Sequence, residues 1–388
     1  MRVRLVVFLS IVLTVSGLLH GYAWLRMAAD PAWPEPFGSI LSVLFAGAVV
    51  GLPFAMLSGR FLPHRVATPL AWTGFLWLGA LFYLDVTLLA LDALRLAAGT
   101  VAYAAIPGGV SDAHEGARLF AGSALAISLG FVGFGVFRGL GRPRIVRVDI
   151  PIANLAPSLD GFRIAQLTDV HVGPTIGAKF VERLVNDVNA EAVDLVAITG
   201  DLVDGPVAEL AQGVAPLAGL SATHGSFFVT GNHEYFSGAD AWAAKVRSLG
   251  IRVLRNEHVT LRDADGSALV IAGIDDALAP RFGGLSDVPT ALREREDPSA
   301  PVVLLAHQPR SIEGARAAGV AVQLSGHTHG GQMQPFGALV RVEQPVLKGL
   351  HSFGDTQLYV SEGTGYWGPP LRVGTRAEIT IITLRARV

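Results

Sequence analysis

Long apolar runs separated by short polar loops fill the first 148 residues. A helix that spans a bilayer needs about 20 mostly apolar residues, and four stretches reach that length. These predicted transmembrane helices cover residues 5–25, 36–59, 67–91 and 119–137. Buried core helices are the alternative interpretation, but they are rarely so long and so uniformly apolar. The pattern therefore predicts a bundle of four transmembrane helices within residues 1–138.

Arginine residues are unevenly shared between the two ends of these spans. Eight lie on the side of the N-terminus and of the segment after residue 137, against three on the opposite side. Cytoplasmic loops carry an excess of Lys and Arg. We therefore expect a multi-pass protein of the cell's inner or plasma membrane with its large C-terminal part in the cytoplasm. The first span also has features of a signal peptide, and its removal would leave three spans with the same final orientation.

After residue 144 the pattern changes to short apolar strands that alternate with amphipathic helices. Residues 139–160 are interpreted as a basic linker and a first strand, and residues 161–388 as a globular α/β domain. Helices are predicted at 178–189 and 240–249. Strands are predicted at 145–150, 162–167, 194–199, 226–230, 269–273, 302–306, 321–324, 357–360 and 378–384.

The composition also indicates that the chain consists of two different parts, a membrane part and a globular domain. Hydrophobic residues make up 51% of the chain and charged residues 16%, whereas a soluble domain usually carries about 25% charged residues. The second part is acidic, which argues against a nucleic-acid binder that relies on a basic face. The chain has no Cys, so thiolate zinc sites, iron–sulfur clusters and cysteine nucleophiles are excluded. Any metal must be bound by His, Asp, Glu or Asn.

Polar residues recur directly after the predicted strands. In α/β sheets ligands bind outside the carboxyl ends of the strands, so five such loops could converge on one site. If the chain stays extended there, residues two apart point the same way, and each Asp-x-His or His-x-His pair faces a common metal. The five blocks are Asp169-x-His171, Gly200-Asp201-x-x-Asp204, Gly231-Asn232-His233-Glu234, His307 and Gly326-His327-x-His329.

This ordered set resembles the calcineurin-like metallophosphoesterases, and all five blocks match between Gly161 and the C-terminus. The continuation Gly330-Gly331-Gln332 and the tail from Gly363 to Glu378 are similar to the membrane-associated branch of that family. The resemblance implies a four-layer α/β/β/α sandwich with two divalent metal ions. It also implies a phosphohydrolase that cleaves a phosphate mono- or diester, as a phosphodiesterase does, with a hydroxide that bridges the metals.

Carried over residue by residue, the resemblance implies two sets of ligands that share one carboxylate. One metal would be bound by Asp169, His171, Asp201 and His329, and the other by Asp201, Asn232, His307 and His327. Imidazole and carboxylate ligands without thiolate suit Mn, Fe or Zn.

His233 follows a predicted ligand and is expected to be catalytic, either by donating a proton to the leaving oxygen or by stabilising charge in the transition state. Three other residues could support a ligand or contact the substrate. Asp204 could orient a ligand histidine or cap a turn, and Glu234 could only orient His233. Arg372 could hold a substrate phosphate or occupy an exposed edge strand.

Two function classes follow from these residues. The first is a membrane-anchored metal-dependent phosphohydrolase, with a phospholipid or another lipid-linked ester among its candidate substrates. The second is a membrane sensor or transport subunit whose phosphoesterase-like domain binds a phosphorylated ligand without turnover. His233 favours the first, because a binding module needs no proton donor. Besides the phosphate ester, the expected partner is the lipid bilayer, and no nucleic acid is expected.

Overall fold

The computed structural model describes residues 2–60, 62–98 and 113–387. The chain forms two compact units. The first consists of Met1–Phe137 and Gly368–Leu371, and the second of Arg138–Trp367 and Arg372–Val388.

In the part of the first unit that the structure describes, there are four long helices. They are α1 (Arg2–Trp24), α2 (Phe37–Leu57), α3 (His64–Ala98) and α4 (Ala113–Gly139). In the described residues, three stretches are long and apolar enough to cross a membrane, namely Phe37–Leu57, Arg65–Ala97 and Ala113–Gly139. They coincide with three of the four predicted spans. The first predicted span also coincides with a helix, α1, and its crossing of the membrane stays a prediction.

The helices of the first unit pack through a small apolar core and present apolar side chains outward. The core includes Ala23, Phe45, Leu88 and Ala124, while many large apolar side chains of α2 and α4 are exposed. A protein surface of this kind is suited to lipid rather than to water.

Twelve strands form two six-stranded sheets in the second unit. They are β1 (Arg144–Ile152), β2 (Arg163–Leu167), β3 (Leu195–Thr199), β4 (Ser226–Val229), β5 (Arg252–Val253), β6 (Glu257–Arg262), β7 (Ala268–Gly273), β8 (Val302–Leu305), β9 (Val322–Ser325), β10 (Gly349–Phe353), β11 (Thr356–Val360) and β12 (Glu378–Ala386). The strand orders are β1-β12-β2-β3-β4-β5 and β10-β11-β9-β8-β7-β6. Strands β2 to β5 are parallel to one another, as are β7, β8, β9 and β11.

Alternation along the strands shows how the layers are built. In β3, Leu195 and Ala197 belong to the core between the sheets, whereas Val196 and Ile198 belong to the core beneath the helices. Such strands are buried on both faces. The helices of this unit are α5 (Ala178–Asn189), α6 (Val207–Val214), α7 (Asn232–Ser237), α8 (Ala239–Ser248), α9 (Val288–Ala291), α10 (Ile312–Ala317) and α11 (Gly337–Val340).

Helices cover the outer face of each sheet. Residues of α5, α6 and α8 share a core with the first sheet, and residues of α9 and α10 share one with the second. The predicted four-layer α/β/β/α sandwich is therefore confirmed.

The sequence missed strands β5, β6 and β10, and each of them is an edge strand. The side chains of β6 and β10 are partly or fully exposed, so these strands lack the dense apolar run that marks the central ones. Parallel strands end at a common edge of a sheet, and the five predicted blocks follow β2, β3, β4, β8 and β9 at those ends.

Candidate metal centre

The loops after these five strands bring the predicted ligand residues together. Three groups of His and Asp residues have ligand atoms that lie within 4.8 Å of one another. They are Asp169, His171 and His329; His171, Asp201 and His233; and Asp201, His307 and His327. His171 and Asp201 each belong to two of the groups, and Asp201 is the residue that the resemblance implies as a shared ligand.

Short distances define the two halves of the centre. In the first half, the Nε2 atoms of His171 and His329 are 3.1 Å apart, and Asp169 Oδ1 lies 3.5 Å from His329 Nε2. In the second half, His307 Nε2 lies 3.1 Å from Asp201 Oδ2 and 3.3 Å from His327 Nδ1. Asp201 Oδ2 is also 3.9 Å from His171 Nε2, so this oxygen lies between the two halves.

The backbone of these loops is left-handed rather than extended, which corrects the expected geometry. Asp169, His171, His327 and His329 have φ of +53°, +53°, +69° and +50°, and Asp201 has +51°. Few residues other than Gly adopt this region, and those that do cluster at functional sites. The paired side chains therefore converge because the chain turns tightly at each residue, and not because alternate residues of a strand face the same way.

Gly200 allows two of the loops to approach each other. Its φ is +91°, and a Cβ atom there would lie 2.7 Å from Gly231 N and 2.8 Å from His307 Nδ1. Any larger residue would push apart the loops that carry Asp201 and Asn232.

Two histidines are oriented by hydrogen bonds from their Nδ1 atoms. His171 Nδ1 lies 2.7 Å from Asp204 Oδ1, and His307 Nδ1 lies 2.8 Å from the carbonyl oxygen of Thr199. Because both partners are acceptors, each Nδ1 carries a hydrogen, and Nε2 is the atom left to bind a metal. Metal-binding histidines are oriented in this way.

The donor atoms fit a cation. The Oδ1 atom of Asn232 is buried and has no hydrogen-bond partner among the described residues, which is costly unless a cation binds there. Burial would raise the pKa of Asp201, but the charges of His307 and His233 outweigh this effect and hold it well below its usual range. Asp201 is therefore an anion.

His233 lies beside this set, with its side chain 17% exposed. Its Nδ1 is 2.8 Å from Asp204 Oδ1, and its Nε2 is 4.0 Å from Asp201 Oδ2. Burial lowers the pKa of His233, but the charge of Asp201 and the hydrogen bond to Asp204 outweigh burial and raise it to about 9. The ring can thus carry a proton at the open side of the centre.

The Glu234 carboxylate bonds to backbone N–H groups and does not orient the ring of His233. Its buried carboxylate accepts hydrogen bonds from the backbone N–H groups of Gly231 at 2.6 Å, Asp201 at 3.0 Å and Leu202 at 2.8 Å. It therefore fixes the loop after β3 to the start of α7.

Arg372 is fully buried, which excludes the exposed edge-strand interpretation. Its Nη2 donates to the carbonyl oxygens of Gly365 at 2.5 Å and Gly363 at 3.3 Å, and it lies 3.4 Å from His329 Nδ1. Burial lowers its pKa to about 10, so the guanidinium remains charged at neutral pH. It supports the loop behind His329.

Two aromatic neighbours of His233 were not predicted from the sequence. The ring centroids of Phe236 and Trp367 lie 5.8 and 5.9 Å from that of His233. Phe236 stands three residues after His233 in α7, a spacing that places both on one face of a helix and that could have indicated the contact. Trp367 follows the Gly363-Thr364-Gly365 tail, and nothing local points to His233.

Comparisons with known proteins agree with this geometry. Residues 162–331 match the family model described as calcineurin-like phosphoesterase. A transmembrane protein with metallophosphoesterase domain from Danio rerio is 32% identical over 405 residues, covering 99% of this chain and 90% of that protein. A Helicobacter pylori protein named as an uncharacterized metallophosphoesterase is 39% identical over 259 residues, covering 66% of this chain and 68% of the relative.

Proposed function

The chain belongs to the calcineurin-like phosphoesterase family, and from this premise we propose that it is a membrane-anchored, metal-dependent hydrolase of phosphate esters. The observation that carries the proposal is Asp201 Oδ2, which lies within 4.0 Å of a nitrogen atom of His307, His171 and His233. The Asp201 carboxylate thus lies next to a histidine of each proposed ligand set, His171 and His307, and next to the proposed proton donor, His233.

Seven residues would hold the metal ions. The proposed sets are Asp169, His171, Asp201 and His329 for one ion, and Asp201, Asn232, His307 and His327 for the other. The Asn232 oxygen that has no partner among the described residues, and the Nδ1 hydrogen bonds that orient His171 and His307, support this division. Mn, Fe or Zn suit such ligands. Divalent ions bound there would supply positive charge for a phosphate and would lower the pKa of water.

His233 would act on the leaving group. As water would form the new P–O bond and release a proton to the solvent, the bond to the leaving oxygen would break, and that oxygen would keep the electron pair and take the Nε2 proton of His233. Asp204 would keep the ring in place through Nδ1, which leaves Nε2 free to face the substrate. A sensor or transport subunit that only binds a ligand would have no use for this proton.

The proposed location is a cell membrane, with the catalytic unit on the cytoplasmic side. The arginine asymmetry of the loops supports this orientation, and the three apolar helices support the anchoring. The proposed substrates are mono- or diesters of phosphate. Phospholipids and other lipid-linked esters are among them, because they lie in the same membrane as the helices.

The test is metal-dependent hydrolysis by the detergent-purified full chain. We expect Mn²⁺ to restore the release of p-nitrophenol from p-nitrophenyl phosphate or from bis(p-nitrophenyl) phosphate after chelation. D201N should lose this activity, whereas D265N, in an exposed loop, should keep it. A wild-type rate equal to that of D201N with Mn²⁺, Fe²⁺ and Zn²⁺ would overturn the proposal.

A further inference from the structure

Three large aromatic side chains at the open side of the centre are exposed. Phe236 is 62% exposed, Phe282 53% and Trp367 48%. Phe236 and Trp367 each contact the ring of His233 edge-on, and the ring centroids of Phe282 and Phe236 are 6.2 Å apart. We call Phe236, Phe282 and Trp367 the aromatic rim.

Elements that carry residues of the metal centre also position the rim. Phe236 is part of α7, the short helix that begins at Asn232 and carries His233. Phe282 ends the turn Ala279–Phe282 and packs on the ring of Tyr235, with the centroids 5.5 Å apart.

Trp367 is held through its backbone by one buried side chain. The Trp367 N–H donates to Gln332 Oε1 at 2.9 Å, and Gln332 Nε2 donates to the Trp367 carbonyl oxygen at 2.9 Å. The Gln332 carbonyl oxygen in turn accepts a hydrogen bond from Thr375 Oγ1 at 2.8 Å. Gln332 ends the Gly330-Gly331-Gln332 sequence after His329, so the loop that supplies a predicted ligand also fixes Trp367.

Such an arrangement is suited to binding an apolar group. Adjoining exposed apolar rings mark a binding surface more often than chance exposure, and ligand sites combine apolar walls with a few convergent polar groups. Here the convergent group is His233, which both nearer rings contact. The occupant therefore adjoins the bond on which His233 acts.

We propose that the aromatic rim binds an apolar segment of the leaving alcohol, so that the preferred substrates are phosphate esters whose apolar group departs with the leaving oxygen. This inference rests on the proposed hydrolysis and on the role of His233 in it. An apolar group on the part of the substrate that keeps the phosphorus would point away from His233 and gain nothing from the rim.

A matched pair of esters tests this orientation. In 4-hexylphenyl methyl phosphate the hexyl chain is on the leaving phenol, and in phenyl hexyl phosphate it is on the retained alkyl group. Phenyl methyl phosphate is the reference, and 4-hexylphenyl phosphate with phenyl phosphate gives the same comparison for a monoesterase. We expect kcat/KM to rise with chain length only on the leaving side, by up to about fourfold per methylene, the factor that corresponds to about 0.8 kcal/mol.

Substitutions in the rim should remove this preference. F236A, F282A and W367A should each reduce the advantage of the hexyl chain, taken as the ratio of kcat/KM for 4-hexylphenyl methyl phosphate to kcat/KM for phenyl methyl phosphate, at least threefold. W367F should restore most of the effect. Q332A should behave as W367A does, because it releases the Trp367 backbone. V342A removes an exposed apolar side chain outside the rim and is the control.

A second readout does not depend on turnover. Titration of 4-butylphenol into metal-depleted full-length protein, followed by calorimetry at a fixed detergent concentration, should give weaker binding to W367A than to wild type and V342A. Equal binding to all three proteins would overturn the proposal that the aromatic rim binds an apolar group.

The outcomes separate the two proposals. An advantage of the hexyl chain that is equal on both sides of the phosphate, or that survives in F236A and W367A, overturns the rim and leaves hydrolysis standing. The absence of metal-dependent hydrolysis of every ester overturns both.

Discussion

The Nδ1 atom of His233 lies 2.8 Å from the Oδ1 atom of Asp204. The same oxygen lies 2.7 Å from Nδ1 of His171. One carboxylate oxygen therefore orients both a predicted metal ligand and the proposed proton donor. Because both rings donate to it, Asp204 is constrained to remain ionised, and its pKa is held below its usual value by these two histidines against the effect of burial.

D204N should slow turnover about 10- to 100-fold, the usual cost of removing a partner that orients a metal ligand. The loss of its negative charge should also lower the pKa of His233 and shift the basic limb of the kcat profile to lower pH. Rates across pH 5 to 10 check this, with D265N as the control. A slower enzyme with an unmoved profile would contradict the assigned contact and indicate a structural role only.

Elemental analysis should find two divalent metal ions per chain in active protein. D201N should lower the content of both ions, because Asp201 lies between the two halves of the centre. H307A should lose mainly one, since its Nε2 faces only Asp201 and His327. H258A, outside the centre, is the matched control. A single ion in fully active wild-type protein would disprove the dinuclear arrangement.

H233A should keep both metal ions and lose turnover by about 10²- to 10⁴-fold, the usual contribution of a general acid. The loss should be largest for alkyl esters, whose leaving oxygens need a proton, and smallest for p-nitrophenyl esters. H351A removes an exposed histidine from β10 and should have no effect. If H233A hydrolysed alkyl and p-nitrophenyl esters with equal loss, proton donation would be the wrong assignment.

The sequence predicts the central strands and the family of the site better than it predicts the edges. Strands such as β3 and β8 are buried on both faces, and this requirement produces apolar runs that can be recognised locally. An edge strand such as β10 has one neighbour and mostly exposed side chains. Its pairing depends on β11, which no local pattern records.

Within the site, the identities of the predicted ligands follow from the five blocks, but their geometry does not. The positive φ of Asp169 and His329 is imposed by the loops around them, so an extended chain was the wrong expectation. Trp367 and His233 are 134 positions apart in the sequence, and their contact depends on the hydrogen bonds between the Gln332 side chain and the Trp367 backbone. Only the folded chain shows such a relationship.

The thermal stability of the metal-depleted protein should fall as pH rises from about 6.5 to 9. The pKa of His233 is raised to about 9 in the folded chain, against about 6.5 in an unfolded one. Its contribution is therefore fully present below pH 6.5 and is lost as pH rises through 9, at up to about 1.4 kcal/mol per unit of pKa difference. Unfolding temperatures should show a flatter pH dependence in H233Q than in wild type and H351A. An identical slope in all three proteins would show that His233 is not charged in the folded state.

A reporter fused to the C-terminus should be active in the cytoplasm. Arg138, Arg142, Arg144 and Arg147 follow the last predicted span directly, and such residues resist transfer across the membrane. A green fluorescent protein should therefore fluoresce when it is fused after Val388, whereas alkaline phosphatase at the same position should be inactive. Fusions after Pro31, which follows the first predicted span, should give the opposite result and serve as the control. Active alkaline phosphatase at the C-terminus would place the metal centre outside the cytoplasm and would overturn the proposed orientation.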